Sequence, residues 1–405
     1  MNCKIFICLF VLLLPFSISK PCTTAVVSGK ATDDGKPLLL KNRDSDFLQN
    51  RLAYFFEGKF RFIGLVNSTD KENNEVWSGF NEAGFGIMNS ASYNLKINDT
   101  TKISDLEGKI MKLALSSCKT LSDFEMLLDT LTKPLGVEAN FGVIDAGGGA
   151  AYYEVNNFTF IKYDANDPEV APNGYLIRTN YSFAGTENKG YGYIRYKTAS
   201  DLFSDKIKNG KINFRFLIND VPRCLIHSFT ETDLSKNLPD QSENKYVFFR
   251  DYIPRYSTSS AIVVQGVKKN ENPSLTTMWT ILGFPLTSIA VPVWLTDDGS
   301  LPKILIADET GNAPLCDLAL SLKNKVVSKQ NDAKENYLNL SALMNRNNTG
   351  VKQKLTPIED RVLKKAGERI SHWEKTKINS DEVKEFYNWI DNDIYPEIKN
   401  NFLFN

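Results

Sequence analysis

From residue 22 onward the chain alternates short apolar runs with turn-forming clusters. Thr23-Thr24-Ala25-Val26-Val27 and Leu38-Leu39-Leu40-Lys41-Asn42-Arg43-Asp44 flank Asp33-Asp34-Gly35. This predicts an antiparallel hairpin over 22–29 and 36–44. Residues 76–80 and 85–89 flank Asn81-Glu82-Ala83-Gly84, a four-residue turn with glycine placed for positive φ. Residues 140–144 and 150–155 flank Asp145-Ala146-Gly147-Gly148-Gly149, and further strands are predicted at 158–163, 174–180, 257–266, 276–282 and 287–295.

Helical signals fall between and after these groups. Ser104-Asp105-Leu106-Glu107 and Ser122-Asp123-Phe124-Glu125 read as capping boxes that open helices over 105–118 and 123–132. A helix near 190–206 carries Tyr191, Ile194 and Leu202. Thr356-Pro357-Ile358-Glu359 reads as a third box with proline at the first helical position. Ile358, Val362, Ala366, Ile370 and Trp373 follow at spacings of three and four, and Ser380 caps another helix. The polar stretch 345–354 reads as a surface loop. Two groups of strands with helices between and after them predict an α+β fold of two stacked antiparallel sheets, covered by helices on both sides. One domain is expected over 22–345, with a helical segment, 346–405, packed on it.

The N-terminus has its own pattern. Lys4 precedes an apolar stretch from Ile5 to Ile18, of signal-peptide length and too short for a comfortable membrane span. Ser17 and Ser19 fit a cut after residue 19, which predicts a signal peptide over 1–19 and a secreted or periplasmic protein. The cut leaves Lys20-Pro21 ahead of Cys22. Proline is poor at a signal-peptidase cut, so a second step is expected, self-cleavage at Pro21-Cys22 or trimming. Lys20-Pro21 lacks the small residue expected before a lipidated cysteine.

Composition narrows the field. The chain of 405 residues is 42% hydrophobic and formally neutral, with 48 basic and 48 acidic residues. It shows no basic patch for nucleic acid and no second apolar run long enough to cross a membrane. Cys3 and Cys8 belong to the leader. Cys22, Cys118, Cys224 and Cys316 are far apart, which fits buried free thiols better than a metal or disulfide framework. Only His227 and His372 are present, neither in a motif. No metal or cofactor is expected, and a homo-oligomer stays open. A mechanism that uses no histidine gains weight.

Cys22 supplies such a mechanism. If residues 1–21 are removed, one residue carries both nucleophile and base. Free α-amino groups titrate near ~8 and thiols near ~8.5, so the amine can take the thiol proton at little cost. The plainer reading is that Cys22 merely starts the first strand. If the hairpin turns near Asp33, opposed residue numbers sum to about 66, which sets Cys22 opposite Asp44 with Cβ atoms about 5 Å apart. A carboxylate there can hold the terminal amine; a solvated strand end is the alternative.

The order of three motifs adds a resemblance. Cys22-Thr23-Thr24, then 38–44 ending at Asp44, then 77–90 (WSGFNEAGFGIMNS) resemble the linear amide C–N hydrolases of the N-terminal nucleophile (Ntn) class. That choloylglycine-hydrolase-like superfamily includes penicillin V acylase, bile salt hydrolase and the acyl-CoA:6-aminopenicillanic acid acyltransferase group (peptidase family C45), the branch most similar here. The likeness runs over roughly 22–300. It implies a four-layer αββα sandwich and autocatalytic exposure of the nucleophile. It implies Cys22 as the nucleophile and Asp44 as the acid that binds the α-amino group. The main-chain N–H of Asn89 and the side-chain amide of Asn180 would form the oxyanion hole, and Arg195 would brace the nucleophile. Lys41 stands where bile salt hydrolases carry arginine. Lys41 and Arg43 share a strand face opposite that of Asp44 in an ideal pleat, so either the strand bends near 42–44 or only one cation reaches the thiol.

The activity expected from the resemblance is hydrolysis of a small-molecule N-acyl amide through an acyl thioester on Cys22. Transfer of the acyl group to an amine is the second enzymatic reading, and a non-catalytic exported binding protein on a degenerate scaffold the third. Sequons at Asn67, Asn98, Asn157, Asn180 and Asn339 bear on a eukaryotic secretory route.

Overall fold

A computed structural model describes residues 22–96, 98–327 and 337–403. The expected leader and Lys20-Pro21 lie outside the described residues.

The predicted hairpin forms from β1 (Thr23–Val27) and β2 (Leu38–Asp44). The next seven strands make an antiparallel meander in chain order. They are β3 (Asn50–Phe55), β4 (Phe62–Asn67), β5 (Ser78–Asn81), β6 (Gly86–Ala91), β7 (Ala139–Ile144), β8 (Ala150–Val155) and β9 (Phe160–Asp164). The chain then returns through β10 (Tyr175–Arg178) to pair with β1. Two short ribbons follow, β11 (Ile226–His227) with β12 (Thr232–Asp233) and β13 (Tyr246–Phe248) with β17 (Tyr337–Asn339). β14 (Thr258–Gln265), β15 (Thr277–Leu282) and β16 (Val291–Val293) complete a six-stranded sheet of order β10-β1-β2-β14-β15-β16. The helices are α1 (Glu107–Ser117), α2 (Leu121–Thr130), α3 (Tyr193–Lys208), α4 (Pro314–Val326), α5 (Leu340–Leu343), α6 (Val351–Trp373), α7 (Ser380–Trp389) and α8 (Tyr395–Leu403).

The two sheets face one another, giving the expected αββα order. The Tyr152 hydroxyl on β8 donates to Thr24 Oγ1 on β1, 2.8 Å away. At Gly142 on β7 a Cβ would lie 2.8 Å from a Val26 methyl and 2.2 Å from the Met88 methyl, so only glycine admits this approach. Ile110, Met111, Phe124 and Leu128 of α1 and α2 cover the outer side of the seven-stranded sheet against Phe85, Phe141 and Tyr153. Residues of α3, α4 and α6 join the core on the six-stranded side. Each fully buried Leu or Phe side chain there contributes roughly 1.5–3 kcal/mol.

The six-stranded sheet ends at β16, whose Pro292 suits an edge strand. Just past it, Tyr387 of α7 accepts from the Trp294 N–H at 2.7 Å and donates to the Trp294 carbonyl at 2.8 Å.

Several local expectations are corrected. The Ser104 box does not form: Asp105 takes a left-handed φ of 63°, and α1 starts at Glu107 without a side-chain cap. The box on α2 is two residues earlier, Thr120 with Asp123, because Thr120 takes the extended conformation a cap needs. Thr356-Pro357 is not a helix start. Gly350 opens α6, with Gln353 reaching back to its N–H, and Pro357 lies inside the helix. The expected loop at 345–354 is therefore helical from Val351, and Asn345 is buried. Asn379, not Ser380, caps α7.

The register of the first hairpin is also corrected. Thr23 faces Asn42 and Thr24 faces Lys41, so Cys22 falls in line with Arg43 and not Asp44. On the other side of β2, Asp44 faces Thr258 and Arg43 faces Ser260, leaving Ser259 as a bulge in β14.

Candidate active site

The corrected register resolves which cation meets the thiol. Arg43 and Lys41 sit on the β2 face that pairs with Cys22 and Thr24. Cys22, Lys41, Arg43, Asp44, Trp77 and Asn89 all line one cavity of about 450 Å³. Two wider clefts, each about 610 Å³, lie at 377–384 and around Tyr191 and hold no cysteine.

Both cations are buried and hydrogen-bonded to neutral groups. Lys41 Nζ donates to the Trp77 carbonyl at 2.7 Å and to Asn89 Oδ1 at 2.6 Å. Arg43 donates to Asn50 Oδ1 at 2.5 Å, Ser259 Oγ at 3.5 Å and Asn67 Oδ1 at 2.9 Å. Its guanidinium stacks 4.9 Å from the Trp77 ring centre. Burial pulls the Lys41 ammonium from 10.5 down to about 7, with Cys22 pulling it back up and Arg43 adding to the fall. Burial likewise lowers Arg43 to about 10.

Arg195, on the first turn of α3, holds the main chain at Cys22. It donates to the Cys22 carbonyl at 2.5 Å, to Thr23 Oγ1 at 2.8 Å and to Asn180 Oδ1 at 3.0 Å. Burial lowers it to about 9, helped by Arg255 and opposed by Asp44 and Cys22. Because Arg195 holds the oxygen of the Asn180 amide, the nitrogen is turned the other way, where it donates to the Ala91 carbonyl at 2.8 Å.

Ala91 ends β6, and this strand presents an open edge. The last β5 partner is Ser78, opposite Met88, so Asn89 to Ala91 have a strand neighbour only on β7. The Ser92 N–H bonds Glu138 on the β7 side. Main-chain groups alternate along a strand, so Asn89 and Ala91 direct theirs to the open edge. The main-chain N–H of Asn89 and the amide of Asn180 thus belong to the same edge.

Asp44 is held by partners that its motif does not announce. Its carboxylate accepts from Arg255 Nε at 2.7 Å and Thr258 Oγ1 at 2.6 Å. The Cys22 thiol lies 3.9 Å from the main-chain oxygen of Asp44. The Asp44 charge also supports Arg195, Arg43 and Lys323.

The other thiols and both histidines stand apart. Cys118, Cys224 and Cys316 are buried free thiols outside the cavity lining, and burial pushes them to about 11, 11 and 12. His227 is buried on Thr230 and Tyr252, and His372 is half exposed on α6. Among the described residues no three His, Cys, Asp or Glu side chains converge as metal ligands. Asn67, Asn157 and Asn180 are buried, so those sequons offer no surface for a glycan.

Asn50, Asn67, Arg255, Thr258 and Glu107 escaped the sequence reading. Asn67 was read only as a sequon. Glu107 was read as a helix cap, whereas its side chain lines the cavity.

No protein-family model and no curated protein matches this chain. Among solved structures it is similar to the Caenorhabditis elegans ortholog of N-acylethanolamine-hydrolyzing acid amidase, at 16% identity over 60% of this chain and 92% of that one, with a TM-score of 0.40. It is also similar to penicillin V acylase from Agrobacterium tumefaciens, at 11% identity over 68% and 87%, with a TM-score of 0.36. A variant of conjugated bile acid hydrolase from Clostridium perfringens is 11% identical over 69% and 94%, with a TM-score of 0.39. The last two bear the names of classes that the motifs resemble. At this identity and superposition the residue roles rest on the geometry above.

Proposed function

We propose that the protein is an exported amidohydrolase that cleaves a linear amide C–N bond through an acyl thioester on Cys22. The observation that carries this reading is a cavity-lining thiol beside two buried cations, Lys41 and Arg43, whose hydrogen bonds all go to neutral groups. The carboxylates that favour their charge, Glu107 for Lys41 and Glu75 and Asp44 for Arg43, act through space without a salt bridge, so both buried cations remain costly. A thiolate, or the oxyanion formed when it attacks a carbonyl, is the anion this place can hold.

In the proposed reaction residues 1–21 are first removed. The α-amine of Cys22 takes the thiol proton, and Sγ attacks the amide carbon. The carbonyl electron pair moves to oxygen, towards the Asn89 N–H and the Asn180 amide. The C–N bond then breaks, and the proton held on the α-amine passes to the leaving nitrogen. Water attacks the thioester by the same route, releasing the acid and restoring the thiol. Arg195 fixes the Cys22 main chain and the Asn180 amide together, and Asp44 balances the surrounding cations.

Intact-mass analysis of active protein tests this: residue 22 should come first, and Cys22→Ala should abolish turnover of N-acyl amides. Full activity in protein starting at Lys20 or earlier, or in Cys22→Ala, would refute it.

A further inference from the structure

We propose that Lys323 is a positioning residue for the reaction at Cys22: its ammonium clamps the turn that presents Arg255 and Thr258 to Asp44. This rests on the amidase reading and extends its machinery to α4.

Arg255 and Thr258 are the first and last residues of one four-residue turn. The Thr258 N–H closes it on the Arg255 carbonyl at 2.9 Å. Thr258 Oγ1 also accepts the Arg255 N–H at 2.9 Å while donating to Asp44. The aim of both side chains at Asp44 therefore depends on the shape of this turn. Its two central residues are tied through their carbonyls. Ser257 accepts the N–H of Ser45, the neighbour of Asp44, at 2.9 Å. Tyr256 accepts Lys323 Nζ.

Lys323 is a costly residue to keep there. It is buried, with Nζ 4.2 Å from the Tyr256 ring centre and 5.3 Å from that of Phe284. It forms no salt bridge among the described residues, and Asp44 and Cys316 favour its charge only through space. A methionine would fill the place beside the two rings without burying an ammonium. What the lysine adds is the bond to the Tyr256 carbonyl.

The helix is seated so that this reach is fixed. A Cβ at Gly283, just past β15, would lie 2.7 Å from the Ala319 Cβ and 3.2 Å from the Cys316 carbonyl oxygen. Only glycine lets β15 end so close to α4. Thr287 Oγ1 donates to the Ala319 carbonyl at 2.8 Å. Cys316, two turns before Lys323 and on the same face, accepts the Asn50 N–H at 3.4 Å. One helix thus stands behind both Asn50, which holds Arg43, and the turn, which holds Asp44.

The test uses protein beginning at residue 22. Lys323→Met keeps the stem and its packing, so circular dichroism and the urea midpoint should be preserved. Alkylation of Cys22 by iodoacetamide at pH 7 should slow at least fivefold. For an N-acyl amide kcat should fall at least tenfold, with KM within twofold. Lys323→Arg, which restores a charged donor, should label within threefold of the wild type. Thr258→Val loosens the same turn from its other end and should show the same pattern. The double variant should stay within twofold of the slower single, because both changes act on one turn. Wild-type labelling in Lys323→Met, a change in KM alone, a Lys323→Arg variant as slow as Lys323→Met, or losses that multiply in the double variant would overturn the proposal. Slowed labelling in Lys323→Met, in a protein that cleaves no N-acyl amide, would uphold the clamp while refuting the amidase reading.

Discussion

The ammonium of Lys41 is hydrogen-bonded to the side-chain oxygen of Asn89, 2.6 Å away. The bond joins β2, which carries the cations beside the thiol, to the open edge of β6. The two parts of the proposed chemistry, an activated sulfur and a receptive edge for oxygen, are therefore held by one buried proton donor.

That donor titrates in the working range. Burial brings Lys41 to about 7, so it is charged below that pH and neutral above it. A cation that supports the thiolate is lost as pH rises through 7, and kcat/KM should fall on that side. Lys41→Arg should move this alkaline limb up by at least one pH unit. Lys41→Met should lose the limb and, at pH 6, on the order of a hundredfold in kcat/KM, or ~2.7 kcal/mol. A limb unchanged in Lys41→Arg would assign it to another group.

Glu107 should cost stability in a defined pH window. Burial raises its carboxyl from 4.5 to about 7. Between those values the folded protein holds the proton more tightly than the unfolded chain. The penalty is absent below about 4.5, grows from there, and is complete above about 7. Glu107→Gln should therefore stabilise the protein at pH 8 by roughly 1–3 kcal/mol, at ~1.4 kcal/mol per pKa unit, and leave it unchanged at pH 4. Urea unfolding at the two pH values measures this, and an equal gain at both would indicate packing instead of charge.

One thiol should dominate labelling. At pH 7 iodoacetamide should modify Cys22, because burial holds Cys118, Cys224 and Cys316 at about 11, 11 and 12. Cys22→Ser should lose the label and nearly all turnover, since a hydroxyl is a far weaker acid than a thiol. Cys118→Ala and Cys224→Ala should keep turnover. Cys316→Ala should cost more, because Cys316 accepts the Asn50 N–H and Asn50 holds Arg43. Peptide mapping of the label decides it.

The histidine-free mechanism makes a paired forecast. His227→Gln with His372→Gln should keep activity within about tenfold, a loss of at most ~1.4 kcal/mol. Asp44→Asn should lose far more, and also stability, because it leaves Arg255 without its buried partner. Asn180→Ala should lower kcat about a hundredfold. Rate measurements beside circular dichroism separate chemistry from unfolding. A folded, dead histidine double mutant with near-normal Asp44→Asn would reinstate a cysteine–histidine pair.

Much of this site was legible in the sequence because it is built on strands. Alternation and the Asp-Gly turn place Cys22, Lys41, Arg43 and Asp44 on one hairpin. The register missed by one residue, and a slip of one exchanges faces. It set Asp44 opposite Cys22 where the structure sets Arg43. The neutral partners were not legible. Asn50 and Asn67 look like turn residues, yet Asn50 opens β3, Asn67 closes β4, and both hold a guanidinium. Arg255 and Thr258 meet Asp44 from more than 200 residues away. The box at Ser104 failed because a motif cannot show that Asp105 turns left-handed.

Tyr387 answers a different question, that of solubility. A sheet that stops at β16 offers bare peptide groups to any passing chain. Where a further strand would begin its ladder at Trp294, a single phenol hydroxyl both gives and receives. The side chain impersonates a missing neighbour, and no real strand can dock while it is there. Shortening the chain ahead of Tyr387 would thus remove a lid from a sticky border, and the first symptom would be self-association of otherwise folded molecules.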